Sequence, residues 1–335
     1  MGDGVPKGDV PGVFHVGKPH LVILGAGASR AAFPNGIDGH PMPVMNDLVA
    51  TLELGHELDQ AGIHHEGEDF ESIYSRVASD IGLSQLRGQL EDRIYDYFRM
   101  LSLPPEPTMY DHLLLSLRPK DVVATFNWDP LIWRAAERVS RIARPPRLLF
   151  LHGNTAIGYC SEHGRKGGIG YRCGVCQNPF RASQLLYPIL KKDYSADSAI
   201  ASEWKDMRTA MADAYLVTVF GYSAPTADAD AMAILKQAWG NSSDHQLEEF
   251  EFIDLVDKRI LETRWRGFIY DRNFRNTNDF KLSVMSRHPR RTADSVWAQL
   301  MEQQPFEEDP IPEHSSWDEL KMHLRPYLDR EKERD

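Results

Sequence analysis

Two short apolar runs that each end in polar side chains constrain the fold of this chain most. Residues 122–124 (Val-Val-Ala) precede Thr-Phe-Asn-Trp-Asp at 125–129, and residues 148–150 (Leu-Leu-Phe) precede Leu-His-Gly at 151–153. Uninterrupted apolar runs of this length are typical of strands that are buried on both faces. Open α/β sheets hold ligands outside the carboxyl ends of such strands. The pattern therefore predicts a parallel sheet with polar side chains gathered at one edge.

Further apolar runs alternate with segments of helical periodicity along the chain. Strands are predicted at 20–25, 121–126, 147–151, 214–221 and 250–256. Helices are predicted through most of 43–102 and at 110–117, 131–142, 200–213 and 227–240, with a last helix after the capping box at 316–319. Strands that alternate with helices favour the α/β class, with a Rossmann-like, mostly parallel sheet and a helical insertion.

This order of elements predicts four parts of the chain. Residues 1–18 form an N-terminal tail, and residues 19–153 and 193–303 together form the Rossmann-like domain, with the helical insertion at about 43–118. Residues 154–192 carry Gly, Cys and Pro without periodicity, which indicates a small inserted module. Residues 304–335 form a C-terminal helix and a charged tail.

The net charge excludes some classes of partner. A formal charge of −11 argues against a general affinity for nucleic acid or for anionic membranes. No apolar run approaches the roughly 20 residues that span a bilayer. The first residues lack the basic-then-apolar order of a signal peptide. The sequence therefore predicts a cytoplasmic protein with no direct nucleic-acid or membrane partner.

All three cysteines lie within one short segment of the inserted module. Cys160 and His163 are separated by two residues, nine residues follow, and Cys173 and Cys176 are again separated by two. Two such pairs can close a tetrahedral, structural zinc site, in which His163 is the less certain ligand. The alternative is three free thiols that are grouped by chance. The pattern favours a small zinc ribbon that needs its metal to fold.

Small residues follow two of the predicted strands. Residues 25–29 read Gly-Ala-Gly-Ala-Ser, and such glycines let backbone N–H groups approach a pyrophosphate at a helix N-terminus. Arg30 stands where the dinucleotide fingerprint has a third glycine, so the alternative is a tight strand-to-helix turn. After the strand at 214–221, Gly221 and Ser223 are candidates to contact phosphate or ribose.

The other polar candidates each have a structural alternative. Asn127 and Asp129 are placed either to line a ligand site or to cap a helix that begins near Pro130. His152 is either a functional imidazole or a satisfied structural histidine. Asp228 either lines the same site or caps the helix that follows it.

In this order the motifs resemble the sirtuin superfamily over about residues 20–260. The resemblance implies that NAD+ is bound between the Rossmann-like sheet and the zinc-bearing module. It further implies that Gly25, Ala26, Gly27 and Ser29 line the dinucleotide, that Asn127 contacts the nicotinamide ribose or a water there, that Asp129 lies on the carboxamide side, that His152 is the general base, and that Gly221 and Ser223 hold phosphate or the adenosine ribose.

Departures from the deacylase pattern favour one branch of that superfamily. Protein-deacylating sirtuins carry Pro-Asp-Phe-Arg after the glycine turn and Phe-Gly-Glu after the zinc module, whereas this chain has Phe-Pro-Asn-Gly at 33–36 and Leu-Leu-Tyr-Pro at 185–188. The stretches 127–129 and 221–223 instead resemble sirtuin-like, NAD-consuming effectors of bacterial anti-phage defence. That resemblance implies hydrolysis of NAD+ to nicotinamide and ADP-ribose, in a homo-oligomer or beside a partner ATPase or Argonaute-type protein. The alternatives are an NAD-dependent protein deacylase and a non-catalytic subunit that senses NAD or ADP-ribose.

Overall fold

Nine strands organise the fold in a computed structural model that describes residues 17–189, 192–225, 228–245, 248–270 and 274–332. They are β1 (His20–Leu24), β2 (Val122–Thr125), β3 (Arg147–Phe150), β4 (Ile157–Tyr159), β5 (Lys166–Gly168), β6 (Arg181–Ala182), β7 (Leu216–Phe220), β8 (Glu249–Ile253) and β9 (Phe274–Thr277). Six of them pair in parallel in the order β3-β2-β1-β7-β8-β9, and β4, β5 and β6 form a separate antiparallel sheet.

The six-stranded sheet confirms the predicted α/β class and its Rossmann-like parallel sheet. Its strand order reverses between β1 and β7, which defines the switch point where open α/β sheets place their ligands. The edge strand β9 was missed by the sequence analysis, because Phe-Arg-Asn-Thr is short and largely polar. Strand β8 ends at Ile253, three residues earlier than predicted.

Thirteen α-helices cover the two faces of the sheet in the described part of the chain. They are α1 (Ala26–Ala32), α2 (Leu48–Thr51), α3 (Gly55–Gln60), α4 (Phe70–Ser79), α5 (Ser84–Met100), α6 (Met109–Ser116), α7 (Leu131–Val139), α8 (Ser198–Asp213), α9 (Ala229–Trp239), α10 (Lys258–Trp265), α11 (Val284–Arg287), α12 (Thr292–Met301) and α13 (Trp317–Lys332). The predicted helices are present, and α10 to α12 lie in a region for which the sequence analysis predicted none. No helix among the described residues is long and apolar enough to cross a membrane.

Strand β1 shows how the sheet separates two apolar cores. All five of its residues are buried, and successive side chains point to opposite faces. Val22 and Leu24 pack with the helices of the 43–118 insertion, including Phe70 of α4. Leu21 and Ile23 pack with helices on the other face, including Trp204 of α8. Burial on both faces explains why the strand is apolar throughout.

The structure describes the two ends of the chain only in part. Of the predicted N-terminal tail, residues 1–16 lie outside the described residues. Near the C-terminus the capping box is present, because the backbone N–H and hydroxyl of Ser316 both donate to Glu319 Oε2. Helix α13 continues to Lys332, so the charged residues 329–332 belong to it. Residues 333–335 lie outside the described part.

The segment inserted after β3 folds as a small three-stranded sheet with the order β5-β4-β6. Ile157 and Tyr159 of β4 are buried and join the core on the α4 side of the large sheet. Most other side chains of this segment are exposed or half-buried. The small sheet therefore has little apolar core of its own, as the composition of 154–192 indicates.

Candidate functional site

The register of the central strands brings the sequence-predicted residues together. Leu24 pairs with Thr125 and with Phe220, and Thr125 pairs in turn with Phe150. Strands β1, β2, β3 and β7 therefore end level with one another. The polar residues that follow each strand emerge side by side at the same edge of the sheet.

A cleft of about 860 Å³ lies at this edge, beside the switch point between β1 and β7. Its volume falls in the range of about 300–1,000 Å³ that is usual for ligand sites. The residues that line it include every predicted catalytic and dinucleotide-binding position: Gly25, Ala26, Gly27, Ser29, Asn127, Asp129, His152, Gly221 and Ser223. Residues of the helical insertion, such as Met45 and Glu71, also line it.

The glycines allow two loops to touch. Gly25 donates its backbone N–H to the carbonyl of Phe220 and Gly27 donates to the carbonyl of Gly221, both at 3.0 Å. Gly221 has a φ of +59°, and a Cβ atom there would lie 2.2 Å from the backbone nitrogen of Ala28. The N–H groups of Gly25 and Gly27, which the sequence analysis assigned to a pyrophosphate, are thus used within the protein. These glycines form the floor of the cleft by close packing.

Asn127 is held with its amide nitrogen toward the glycine turn. Nδ2 donates to the Gly25 carbonyl at 2.9 Å and to Ser29 Oγ at 3.0 Å. Because a carbonyl oxygen can only accept, the atom that faces Gly25 must be the nitrogen. Oδ1 accepts no hydrogen bond from the described residues. Asn127 therefore offers a ligand an acceptor, and its two amide hydrogens are not available to position a water.

Asp129 combines both of the roles that the sequence left open. Its Oδ1 accepts the backbone N–H of Leu131, the first residue of α7, at 3.1 Å, so it helps to begin that helix. Its Oδ2 accepts the Ser29 hydroxyl at 2.7 Å, and Ser29 Oγ is also 2.7 Å from the hydroxyl of Tyr110. Burial raises the pKa of Asp129, which these hydrogen bonds partly oppose. The carboxylate is fixed at the cleft wall.

The imidazole of His152 is buried against aromatic rings at the end of β3. Its exposed fraction is 6%, and the ring of Phe126 packs edge-on at 4.8 Å between centroids. Burial lowers the pKa of His152 to about 4, with Lys192 adding to the effect and Asp228 opposing it. The imidazole is therefore neutral at pH 7 and able to accept a proton.

Two charged residues lie beside His152: Asp228, for which the sequence left a site role and a capping role open, and Lys192, which the sequence analysis missed. Asp228 stands at the N-cap position of α9, but its side chain makes no capping hydrogen bond. Its Oδ1 accepts a hydrogen bond from the ammonium of Lys192 at 2.7 Å and lies 3.6 Å from His152 Nε2. Its Oδ2 accepts the Tyr222 hydroxyl at 2.9 Å. No local pattern marked Lys192, which lies 36 residues from Asp228 in the sequence.

The four predicted metal ligands form one cluster in the small module. The ligand atoms of Cys160, His163, Cys173 and Cys176 all lie within 4.8 Å of one another. A tetrahedral zinc ion with Zn–S bonds of about 2.3 Å and Zn–N bonds of about 2.0–2.1 Å places two sulfurs about 3.8 Å apart and sulfur and nitrogen about 3.6 Å apart. Cys160 Sγ is 3.5 Å from both Cys176 Sγ and His163 Nδ1, and Cys173 Sγ is 3.9 Å from that nitrogen. The cluster fits Zn²⁺ with no open position.

The backbone around this cluster favours the thiolate form of Cys173. N–H groups of Cys176 and Val175 point at Cys173 and lower its pKa to about 6. Each pair closes a similar turn, since Gly164 donates to the carbonyl of Cys160 and Gln177 to the carbonyl of Cys173, both at 2.9 Å. A zinc ion held here would supply folding energy to a module with little core.

The chain is similar to solved structures of sirtuins. A Sir2 homolog–NAD complex is 14% identical, over 93% of this chain and 91% of that chain, with a TM-score of 0.40. A structure on sirtuin substrate affinity is 16% identical over 78% of this chain and 89% of that chain, with a TM-score of 0.38. Sir2 bound to acetylated peptide is 15% identical over 85% of this chain and 93% of that chain, with a TM-score of 0.34. No protein-family model matches the chain, and no curated protein matches its sequence. The function of the cleft is therefore inferred from its own residues.

Proposed function

We propose that this protein is a sirtuin-like NAD+ hydrolase that cleaves the bond between nicotinamide and ribose. The observation that supports this most is the meeting of Asn127 Oδ1 and a neutral His152 in one cleft beside the switch point. Gly25, Ala26, Gly27, Gly221 and Ser223 would line the rest of the bound dinucleotide.

The chemistry needs few groups from the protein. The ring nitrogen of nicotinamide is cationic in NAD+ and becomes neutral when it leaves with the bonding electron pair. Positive charge then grows on the ribose, and a water oxygen bonds to the anomeric carbon. His152 accepts the proton that this water loses, so the products are nicotinamide, ADP-ribose and one proton. Asn127 Oδ1 would accept a hydrogen bond from the water or from a ribose hydroxyl, which fixes the attacking geometry.

The buried carboxylate of Asp129 supports the same step. It is held by Ser29 and by the start of α7. Fixed negative charge in a site with little water stabilises positive charge that develops on the sugar. We assign Asp129 to the nicotinamide side of the cleft.

The burial of His152 favours water over a peptide as the nucleophile. Only 8% of its side chain is exposed, and the rings of Phe126 and Tyr194 pack against it. A water molecule needs little space beside the imidazole, whereas an acylated lysine needs an open path for a long side chain. This supports hydrolysis over the deacylase alternative.

The biological setting rests on the resemblance of residues 127–129 and 221–223 to defence effectors. We propose that the protein acts in anti-phage defence, as a homo-oligomer or with a partner ATPase or Argonaute-type protein. Such an effector would be silent until it is assembled, because unrestrained NAD+ cleavage would harm the cell that makes it.

Incubation of the protein with NAD+ tests the activity, with and without an acetylated peptide and with the neighbouring gene product co-expressed. We expect nicotinamide and ADP-ribose in equal amounts whether or not peptide is present. Nicotinamide that forms only with peptide, together with an acetylated ADP-ribose, would establish the deacylase. Tight binding of NAD+ with no nicotinamide in any preparation would establish the sensing subunit.

A further inference from the structure

We propose that Asp228 and Lys192 are positioning residues for His152: the Asp228 carboxylate fixes the proton on Nε2, so that Nδ1 is the base, and Lys192 balances the charge of that carboxylate. The catalytic part of this inference rests on the proposed function. The arrangement of the three side chains does not.

The tautomer follows from what faces each ring nitrogen. His152 Nε2 lies 3.6 Å from Asp228 Oδ1 and 3.5 Å from the Tyr194 hydroxyl. An ionised carboxylate can only accept a hydrogen bond, so the nitrogen that faces it carries the proton. Nδ1 has no hydrogen-bond partner among the described residues. It is also absent from the side-chain atoms that are buried without a partner, so it remains accessible. It is therefore the nitrogen left to accept a proton from water in the cleft.

Lys192 makes this contact possible without charging the imidazole. The ammonium is 2.7 Å from Asp228 Oδ1, and the two side chains are only 2% and 6% exposed. A lone buried carboxylate at this distance would favour the imidazolium form of His152. A carboxylate that is paired with an ammonium still attracts the Nε2 hydrogen across 3.6 Å, but its charge is largely balanced. The pair thus orients His152 and leaves it neutral.

The remaining groups around His152 agree with these roles. Among the described residues, the titratable or charged side chains that face it are Asp228, Lys192 and Tyr194. Tyr222 contacts the pair from behind, where its hydroxyl donates to Asp228 Oδ2 at 2.9 Å. Burial raises the pKa of Tyr222 and of Tyr194, so both hydroxyls stay neutral at pH 7. Both oxygens of Asp228 are occupied, which holds Oδ1 toward the ring.

In the hydrolytic step, the water O–H bond breaks and its proton moves to Nδ1 of His152. The water oxygen bonds to the anomeric carbon of the ribose, and nicotinamide leaves with the electron pair of the broken C–N bond. The resulting imidazolium is held by Asp228 through Nε2 and then releases its proton to solvent.

Nitrogen NMR of the ¹⁵N-histidine-labelled, zinc-loaded protein tests the arrangement, and nicotinamide release is measured on the same samples. We expect wild-type His152 to carry its proton on Nε2 at pH 7. Lys192→Met should raise the pKa of His152 by about one to three pH units and move the acid limb of the activity profile upward by the same amount. Lys205→Met, which removes an exposed lysine of α8, is the matched control and should change neither.

Breaking a buried ion pair is strongly destabilising, so the double variant Lys192→Met, Asp228→Asn is measured as well. With both charges removed, we expect His152 to remain neutral at pH 7 but to populate both tautomers. A wild-type proton on Nδ1, or a His152 pKa that is the same in wild type and in Lys192→Met, would overturn the inference. These outcomes are read by NMR, so they stand apart from a failure to release nicotinamide, which would refute only the proposed hydrolase.

Discussion

Two buried histidines lie at opposite ends of the central sheet and differ in what surrounds them. His20 begins β1, is fully buried, and has Thr292 Oγ1 3.0 Å from Nδ1 and Thr218 Oγ1 2.8 Å from Nε2. His152 follows β3 beside the cleft, and the polar contacts of its imidazole with the described residues are long, at 3.5 and 3.6 Å. Burial lowers the pKa of both, to about 3 for His20 and about 4 for His152.

A lowered pKa therefore does not by itself define a ligand site. The hydroxyl of Thr218 donates to Glu251 at 2.8 Å, so His20 Nε2 must donate to Thr218, and Nδ1 must accept from Thr292. Every polar atom of His20 is therefore used in joining three elements. His152 Nδ1, in contrast, has no hydrogen-bond partner among the described residues, and His152 lines the cleft. An unfilled hydrogen-bonding position next to a cavity distinguishes the proposed catalytic histidine from the structural one.

The two histidines should differ most in their effect on activity. His152→Ala and Asn127→Ala should each lower nicotinamide release by about a hundredfold or more, the usual scale for a general base or a positioned polar group. His20→Ala should leave turnover per folded molecule unchanged, because it lies at the far end of the sheet. Release rates at saturating NAD+ check this, and wild-type rates in both cleft variants would refute the assignment.

A third histidine extends the comparison to the metal cluster. His163 is exposed, unlike the other two, and its neighbours are three cysteines. Cys173→Ser should reduce bound zinc and the yield of folded protein severalfold, because the small sheet has little core without its metal. Zinc content by mass spectrometry and thermal melting measure the effect. A variant that keeps wild-type stability without zinc would rule out a structural ribbon.

The two histidines should also differ in how much they contribute to the free energy of unfolding. His20→Ala removes the partner of Thr218 and of Thr292 in a sealed region, which should lower the free energy of unfolding by about 1–3 kcal/mol. His152→Ala should cost less, because the cleft allows water to replace the ring. Urea denaturation of the two variants gives the ranking. A larger loss for His152→Ala would contradict it.

The smallest expected effect concerns pH. The folded-state pKa of His20, about 3, lies below the value of about 6.5 for an unfolded chain. The unfolded chain therefore binds a proton first as the pH falls, so this histidine contributes stability above pH 6.5 that is lost toward pH 3. His20→Ala should show a flatter rise of melting temperature between about pH 4 and pH 6.5 than wild type. An unchanged slope would indicate that His20 titrates normally.

The sequence predicted the parts of the site that local patterns carry. Apolar runs located β1, β2, β3 and β7, and parallel pairing then brought Asn127 and His152 to one edge. The spacing of the cysteines located the metal cluster, since ligand pairs of this kind are local. The class of fold and the outline of the cleft follow from such short-range signals.

The rest depends on contacts between distant residues. Lys192 and Asp228 are 36 residues apart, and His20 and Thr292 are 272 apart, so no local pattern marks either pair. The use of the Gly25 and Gly27 N–H groups also required knowledge of the loop that follows β7. For Asp228 the sequence left a site role and a capping role open until its neighbours in space were known.

Mass-spectrometric analysis of NAD+ incubated with the wild-type and His152→Ala proteins tests whether the cleft cleaves NAD+ with His152 as the base. Both proteins are assembled with the same partners. We predict equal amounts of nicotinamide and ADP-ribose from wild type and about a hundredfold less of both from the variant. Intact NAD+ from both proteins, or equal product from both, would contradict it.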